Sequence, residues 1–158
     1  MKRGSILLLR TVILLVATGA LAFLIWEPLA EGVNVNADLA TIYLDPFVLY
    51  VYLGSLAFFF GLSQAFKLLG YASKGEAVSP ASVDALRRIK YSALTVIAFV
   101  AGAEAYILLG VSDDDRAGGV AMGVFVGFLC IVAAAAAAML ERVLQSAVDL
   151  KLENDLTV

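Results

Sequence analysis

The sequence predicts an all-α integral membrane protein, a four-helix bundle that forms a single domain over residues 1–158. Three observations predict this fold. Hydrophobic residues make up 62% of the chain and charged residues only 16%, whereas soluble domains have about 45–50% and about 25%. The apolar residues form four long runs, and a helix needs roughly 20 apolar residues to cross a bilayer. The basic residues lie almost entirely on one side of these runs.

The four apolar runs define the expected membrane spans. Polar backbone groups cannot stay unpaired in lipid, so each run is expected to form a helix. The alternating ten-residue segments of a membrane β-barrel are not present in the sequence. The expected spans are residues 6–26, 47–69, 91–111 and 117–140.

The distribution of Lys and Arg predicts the orientation. Nine of these residues lie at the N-terminus, in or beside the connection 70–90, and in the tail 141–158, whereas Arg116 alone lies on the other side. Basic residues stay in the cytoplasm when a membrane protein inserts. We therefore expect a multi-pass protein of the inner cell membrane, with both termini, the loop 70–90 and the tail 141–158 in the cytoplasm.

The first run could instead be a secretory signal peptide. Lys2 and Arg3 resemble its basic start, and Ala20-Leu21-Ala22 resembles a cleavage site. The run is longer than the apolar region of a usual signal peptide and contains Arg10, so we favour a retained span.

Two helices are expected to extend beyond the bilayer into the cytosol. Ser79 followed by Pro80 is typical of a helix start, with Ser79 as the N-cap, so the third membrane helix should begin there. The fourth should continue past its span with an apolar stripe formed by Leu140, Val143, Leu144 and Ala147. We expect these two extensions to pack on each other.

Gly119, Gly123 and Gly127 repeat every four residues in the fourth span. Small residues at this spacing let a second helix approach closely. One interpretation is a homo-oligomer interface. We favour packing inside the same bundle, because the chain already offers three neighbouring helices.

Two charged residues lie inside the expected spans, and such residues are candidates for function. Arg10 is close enough to the inner end of its run to extend to the lipid headgroups. Glu104 lies deeper, where it could be protonated and packed, face a wet crevice or bind a cation.

The composition excludes several kinds of site. Histidine is absent and Cys130 is the sole cysteine, which excludes an internal disulfide, zinc sites built on Cys and His, haem bound by His, and Ser–His or Cys–His catalytic pairs. Asp113-Asp114-Asp115 lacks the spaced ligands of a calcium loop, so a solvated turn is expected. We predict no enzyme activity and no cofactor.

Five basic residues form the candidate contact region for lipids or a partner: Lys67, Arg87, Arg88, Lys90 and Arg142. Their position near the inner leaflet indicates contact with anionic membrane lipids or with an acidic cytosolic protein. They are too few and too near the membrane for direct nucleic-acid binding.

Several stretches carry a resemblance to a known family: Met1–Ser5, Phe58–Phe60, Gln64–Leu69, Ser79, Ser82-Val83, Ala85-Leu86, Ile89–Tyr91, Ala147–Lys151 and Glu153–Val158. With these residues the chain resembles, over nearly its whole length, the bacterial domain-of-unknown-function 2975 family of small four-helix membrane proteins. Leu152 departs from the serine expected there. The resemblance implies a non-enzymatic inner-membrane protein, often encoded beside a small helix-turn-helix DNA-binding protein, and it supplies no catalytic residues.

Two hypotheses on function follow. The first is a membrane-bound regulatory or interaction protein that presents its cytoplasmic residues to a cytosolic protein, such as a small helix-turn-helix transcription regulator. The alternative is a small transporter, channel or proton-coupled subunit that uses Glu104. A flux assay on Glu104→Gln separates the two hypotheses.

Overall fold

The computed structural model describes residues 3–30, 34, 36–109 and 116–156, and the regular structure in this part of the chain is entirely helical. The helices are α1 (Arg3–Ala30), α2 (Leu39–Tyr43), α3 (Pro46–Ser73), α4 (Pro80–Leu108) and α5 (Arg116–Leu156). Four of them, α1, α3, α4 and α5, are long and apolar enough to cross a membrane. The predicted all-α fold with four membrane helices is confirmed, whereas the cytoplasmic placement of both termini stays a prediction.

Short polar motifs set the starts of the helices. Asp45 accepts hydrogen bonds from the backbone N–H groups of Phe47 (2.8 Å) and Val48 (3.2 Å) ahead of α3. Ser79 is the N-cap of α4 and accepts a hydrogen bond from Ser82 N, with Pro80 in the first turn, as the sequence predicts. Local side-chain chemistry therefore fixes where both helices begin.

Pro28 explains how α1 is attached at its C-terminal end. Proline has no N–H group, so the Leu24 carbonyl oxygen lacks its usual donor four residues later. The Tyr52 hydroxyl donates a hydrogen bond to this oxygen at 2.9 Å, and the Tyr43 hydroxyl donates to the Ile25 oxygen at 2.8 Å. The bond from Tyr52 satisfies a carbonyl group that lipid could not satisfy, and the two bonds together join α1 to α3 and α2.

The membrane helices pack in the order of the chain. Within the described residues, the substantial contacts between membrane helices are those of α1 with α3, α3 with α4, and α4 with α5. The α4–α5 contact is the most extensive and the α1–α3 contact the smallest. The bundle is therefore an open row of helices, with α1 and α5 at its two edges.

Two glycines bring α3 close to α4. A Cβ atom on Gly54 would lie 2.9 Å from Phe99 Cγ, and one on Gly102 would overlap with the Tyr50 hydroxyl. That hydroxyl donates a hydrogen bond to the Phe99 carbonyl oxygen at 3.0 Å. Small residues thus allow α3 and α4 to approach closely, and an interhelical hydrogen bond stabilises this contact.

Both predicted extensions are present as helix. α4 begins 11 residues before its expected span, and α5 continues 16 residues past Leu140. At a rise of about 1.5 Å per residue, these lengths are about 16 Å and about 24 Å. The two extensions pack on each other, with Val83, Leu86 and Val148 only 2%, 5% and 4% exposed.

The predicted packing stripe on the α5 extension was wrong at two positions. Leu140 and Val143 are 55% and 61% exposed, and α5 instead directs Ala137, Glu141 and Val148 inward. The physical reason is the charge on Glu141, which pairs with basic residues of α4. This pairing sets the rotation of the helix and leaves Leu140 and Val143 outside.

Candidate functional site

Three charged side chains join α4 and α5 just beyond the apolar runs. Glu141 Oε1 accepts a hydrogen bond from Arg87 Nε at 2.9 Å, and Glu141 Oε2 accepts one from Lys90 Nζ at 2.6 Å. Arg87 also forms an ion pair with Asp84 at 3.4 Å. The Glu141 side chain is only 12% exposed, so one carboxylate holds two cations at the junction.

The electrostatics of this ion cluster favour the charged form of Glu141. Hydrogen bonds from Lys90 and Arg87 hold the pKa of the Glu141 carboxyl below its usual range. Both cations are among the residues predicted from the sequence to contact lipids or a partner, whereas Glu141 is not. The sequence nevertheless indicates that Glu141 is unusual. It is the one acidic residue between Arg116 and Asp149, and it lies opposite the cations of the antiparallel helix α4.

A small polar and apolar core supports the ion cluster. Ser82 is fully buried, and its hydroxyl lies 3.1 Å from the Ser79 hydroxyl and 3.2 Å from the Glu76 carbonyl oxygen, to which it donates a hydrogen bond. These bonds close the loop before α4 onto the first turn of the helix. Since Val83 and Leu86 are buried on the same helix, the extension is a folded structure rather than a frayed helix end.

The five basic residues predicted to contact lipids or a partner lie on three different helices. Arg87 and Lys90 are paired with Glu141, whereas Lys67, Arg88 and Arg142 are exposed on α3, α4 and α5 respectively. Pairing removes two of the five charges from the free positive surface. What remains is dispersed over three helices.

The end of α5 provides an exposed surface. Residues 149–154 are all exposed, directly after the buried Val148. We call residues 149–156 the tail segment. Leu150 is 68% exposed and lies seven residues after Val143, which is 61% exposed, so the two share one face of the helix.

The glycine ridge of α5 lies against α4. A Cβ atom on Gly119 would lie 3.1 Å from Ile107 Cδ1, and one on Gly127 would lie 3.7 Å from Val100 Cγ1. Between them, a Cβ atom on Gly123 would overlap with the Glu104 carboxylate. The ridge therefore packs inside this chain, and its middle glycine makes the room that Glu104 occupies. A transport role for Glu104 stays a prediction.

Arg10 contacts α3 rather than extending freely. Its guanidinium carbon lies 5.1 Å from the centroid of the Phe66 ring, and its Nη2 atom lies beside Gly70. Neither neighbour is predicted from the sequence, because contacts between α1 and α3 depend on the relative rotation of the two helices.

Some residues singled out in the sequence lie outside the described residues. These include Lys2, the Asp113–Asp115 run and the last two residues of the family-like stretch Glu153–Val158. Within the described part of the chain, no group of three or more Cys, Asp or Glu side chains is placed to hold a metal ion.

Replacing Glu141 by Gln should weaken the α4–α5 junction. We expect a melting temperature about 2–4 °C lower in detergent at neutral pH, because partly exposed ion pairs contribute modestly. Since the pKa of Glu141 is lowered in the folded protein, this stabilisation is lost as pH falls through that lowered pKa, and the two proteins should converge in acid. The control is Glu76→Gln, which removes an exposed carboxylate from the same end of the protein. Equal melting temperatures for Glu141→Gln and wild type at neutral pH would contradict the prediction.

Comparison with known proteins agrees with this description. Residues 29–158 match the family model described as "Protein of unknown function (DUF2975)". The chain is 37% identical to the uncharacterized membrane protein YoaS of Bacillus subtilis (strain 168), over 100% of both chains. No solved structure matches the chain. With four membrane-length helices, a family match over most of its length and a full-length relative that is a membrane protein, the chain belongs to the DUF2975 family of membrane proteins.

Proposed function

We propose that this chain is a membrane-bound regulatory protein that presents a folded helical surface to a cytosolic protein. The observation that carries the proposal is the junction of the two extensions. Beyond the apolar runs, α4 and α5 are held together by the Glu141 ion cluster and by buried apolar side chains. A chain that only needed to cross the bilayer would not require this structure outside it.

The tail segment is the part of this surface best suited to bind a protein. The α5 extension is longer than the α4 extension by about 8 Å, so its last turns project beyond its neighbour. They carry the exposed apolar side chain of Leu150 in line with that of Val143. Apolar side chains spaced along one face of a helix are typical of helices that bind in a groove of a partner.

The charges support a protein partner rather than nucleic acid. Arg87 and Lys90 are paired with Glu141, so they offer little positive potential to a phosphate backbone. The partner class that the family resemblance indicates is a small helix-turn-helix transcription regulator. In this proposal the regulator binds DNA, and the membrane protein holds or releases the regulator.

Removing residues 149–158 tests the proposal. The truncation ends after the buried Val148, so it leaves the ion cluster and the apolar contacts in place. We expect the small helix-turn-helix regulator of this proposal to stop co-purifying with the membranes, and the transcripts that it controls to change. Unchanged co-purification together with unchanged transcripts would refute the proposal.

Two point variants of the full chain sharpen this test. Leu150→Glu places a charge on the face shared with Val143 and should weaken recruitment about tenfold or more, as for a central interface residue. Leu152→Glu is the matched control, because Leu152 is also exposed, at 54%, but lies on the opposite face of the helix. Equal losses in both variants would contradict the assignment of this face.

A further inference from the structure

The positively charged guanidinium of Arg10 packs against α3. The Arg10 guanidinium stacks over Phe66, with its carbon 5.1 Å from the ring centroid. A Cβ atom on Gly70 would lie at an ordinary contact distance of 3.5 Å from Arg10 Nη2, so Gly70 lies directly beside the guanidinium. Phe66 and Gly70 are one turn apart on α3. We call Arg10, Phe66 and Gly70 the Arg10 site.

The Arg10 site contains a positive charge without an anion. Arg10 Nε is buried and has no hydrogen-bond partner. Among the described residues, no carboxylate forms an ion pair with Arg10. The nearest charged residue along α3 is Lys67, another cation. Since an unpaired charge near the apolar layer is costly, an anion from outside the chain is expected to complete the site.

We propose that the Arg10 site binds the phosphate group of an anionic phospholipid in the leaflet at the positively charged end of the protein. The planar guanidinium matches the geometry of a phosphate group and can donate two parallel hydrogen bonds to it. The cation–π contact with Phe66 keeps the guanidinium beside α3 before the lipid binds.

The surface next to the site favours a lipid over a free phosphate ion. Leu14 lies one turn further into the apolar run on the same face of α1 as Arg10 and is 56% exposed. Phe66 likewise lies one turn deeper than Gly70 on α3. A lipid whose phosphate contacts Arg10 can therefore place an acyl chain along Leu14.

Native mass spectrometry of the full-length protein with added lipid tests this site. With phosphatidylglycerol, we expect Arg10→Gln to bind about tenfold more weakly than wild type, because the substitution removes charge-assisted hydrogen bonds. The matched control is Lys74→Gln, which removes one positive charge from an exposed lysine directly after α3 and should bind nearly as wild type does. Circular dichroism of each variant should show unchanged helix content.

Three outcomes would overturn the proposal. The first is equal phosphatidylglycerol binding by Arg10→Gln and wild type. The second is binding of phosphatidylcholine by the wild type as strongly as phosphatidylglycerol. The third is an increase in melting temperature with inorganic phosphate alone that equals the increase with phosphatidylglycerol, because the site would then take a soluble anion.

Discussion

Replacing Gly123 by alanine should push α5 away from α4 and destabilise the protein by about 1–3 kcal/mol, the range for overpacked interiors. The new Cβ atom would overlap with the Glu104 carboxylate and lie 2.7 Å from Glu104 Cδ. Glu104 cannot swing into lipid without exposing a polar group there, so relieving the overlap should cost stability whether Glu104 or α5 moves. Unfolding in mixed micelles with increasing sodium dodecyl sulfate measures the loss.

Two further variants isolate this cause. Gly127→Ala makes the same change on the same ridge, but its Cβ atom would lie at an ordinary distance of 3.7 Å from Val100 Cγ1, so its stability should change little. Combining Gly123→Ala with Glu104→Ala removes the overlapping carboxylate and should recover most of the loss. A double variant as unstable as Gly123→Ala alone would refute the explanation.

Leu86→Ala should destabilise the protein by about 2–5 kcal/mol, as for other buried leucines. Leu86 is 5% exposed and lies in the α4 extension, which we expect to lie in water. The full hydrophobic effect therefore acts on its burial. The cavity opens beside Val83 in the small core under the ion cluster. The same unfolding experiment measures the change.

Leu94→Ala is the control for this prediction. Leu94 lies two turns later on the same helix, inside the apolar run, and is 47% exposed. Its side chain faces lipid, and lipid offers no hydrophobic driving force between helices, so the substitution should cost much less. Equal losses at positions 86 and 94 would contradict the prediction, because Leu86 is buried whereas Leu94 is 47% exposed.

Much of the fold could be predicted from the sequence, because its determinants are local. The apolar runs must be helices wherever lipid is the solvent. Ser79 and Pro80 define the start of α4 within two residues. The glycine spacing on α5 indicates close packing whichever helix provides the opposite surface.

The candidate site was less predictable, because it depends on how helices rotate against each other. Hydrophobic periodicity selected Leu140 and Val143 as the packing face of the α5 extension, but the pairing of Glu141 with Arg87 and Lys90 turned them outward. The contact of Glu104 with Gly123 and that of Arg10 with Phe66 likewise join residues far apart in sequence. The sequence pattern of a single helix does not determine how that helix is rotated against its neighbours.

The arrangement of the membrane helices as neighbours along the chain has a consequence for biogenesis. Each helix finds its contact surface on the segment synthesised just before it, so no helix has to wait for a distant part of the chain to leave the ribosome. Low separation in sequence between contacting segments favours rapid folding. We therefore expect the helices to assemble one after another during translation. In this order α3 packs against α1 first and α5 packs last, against α4.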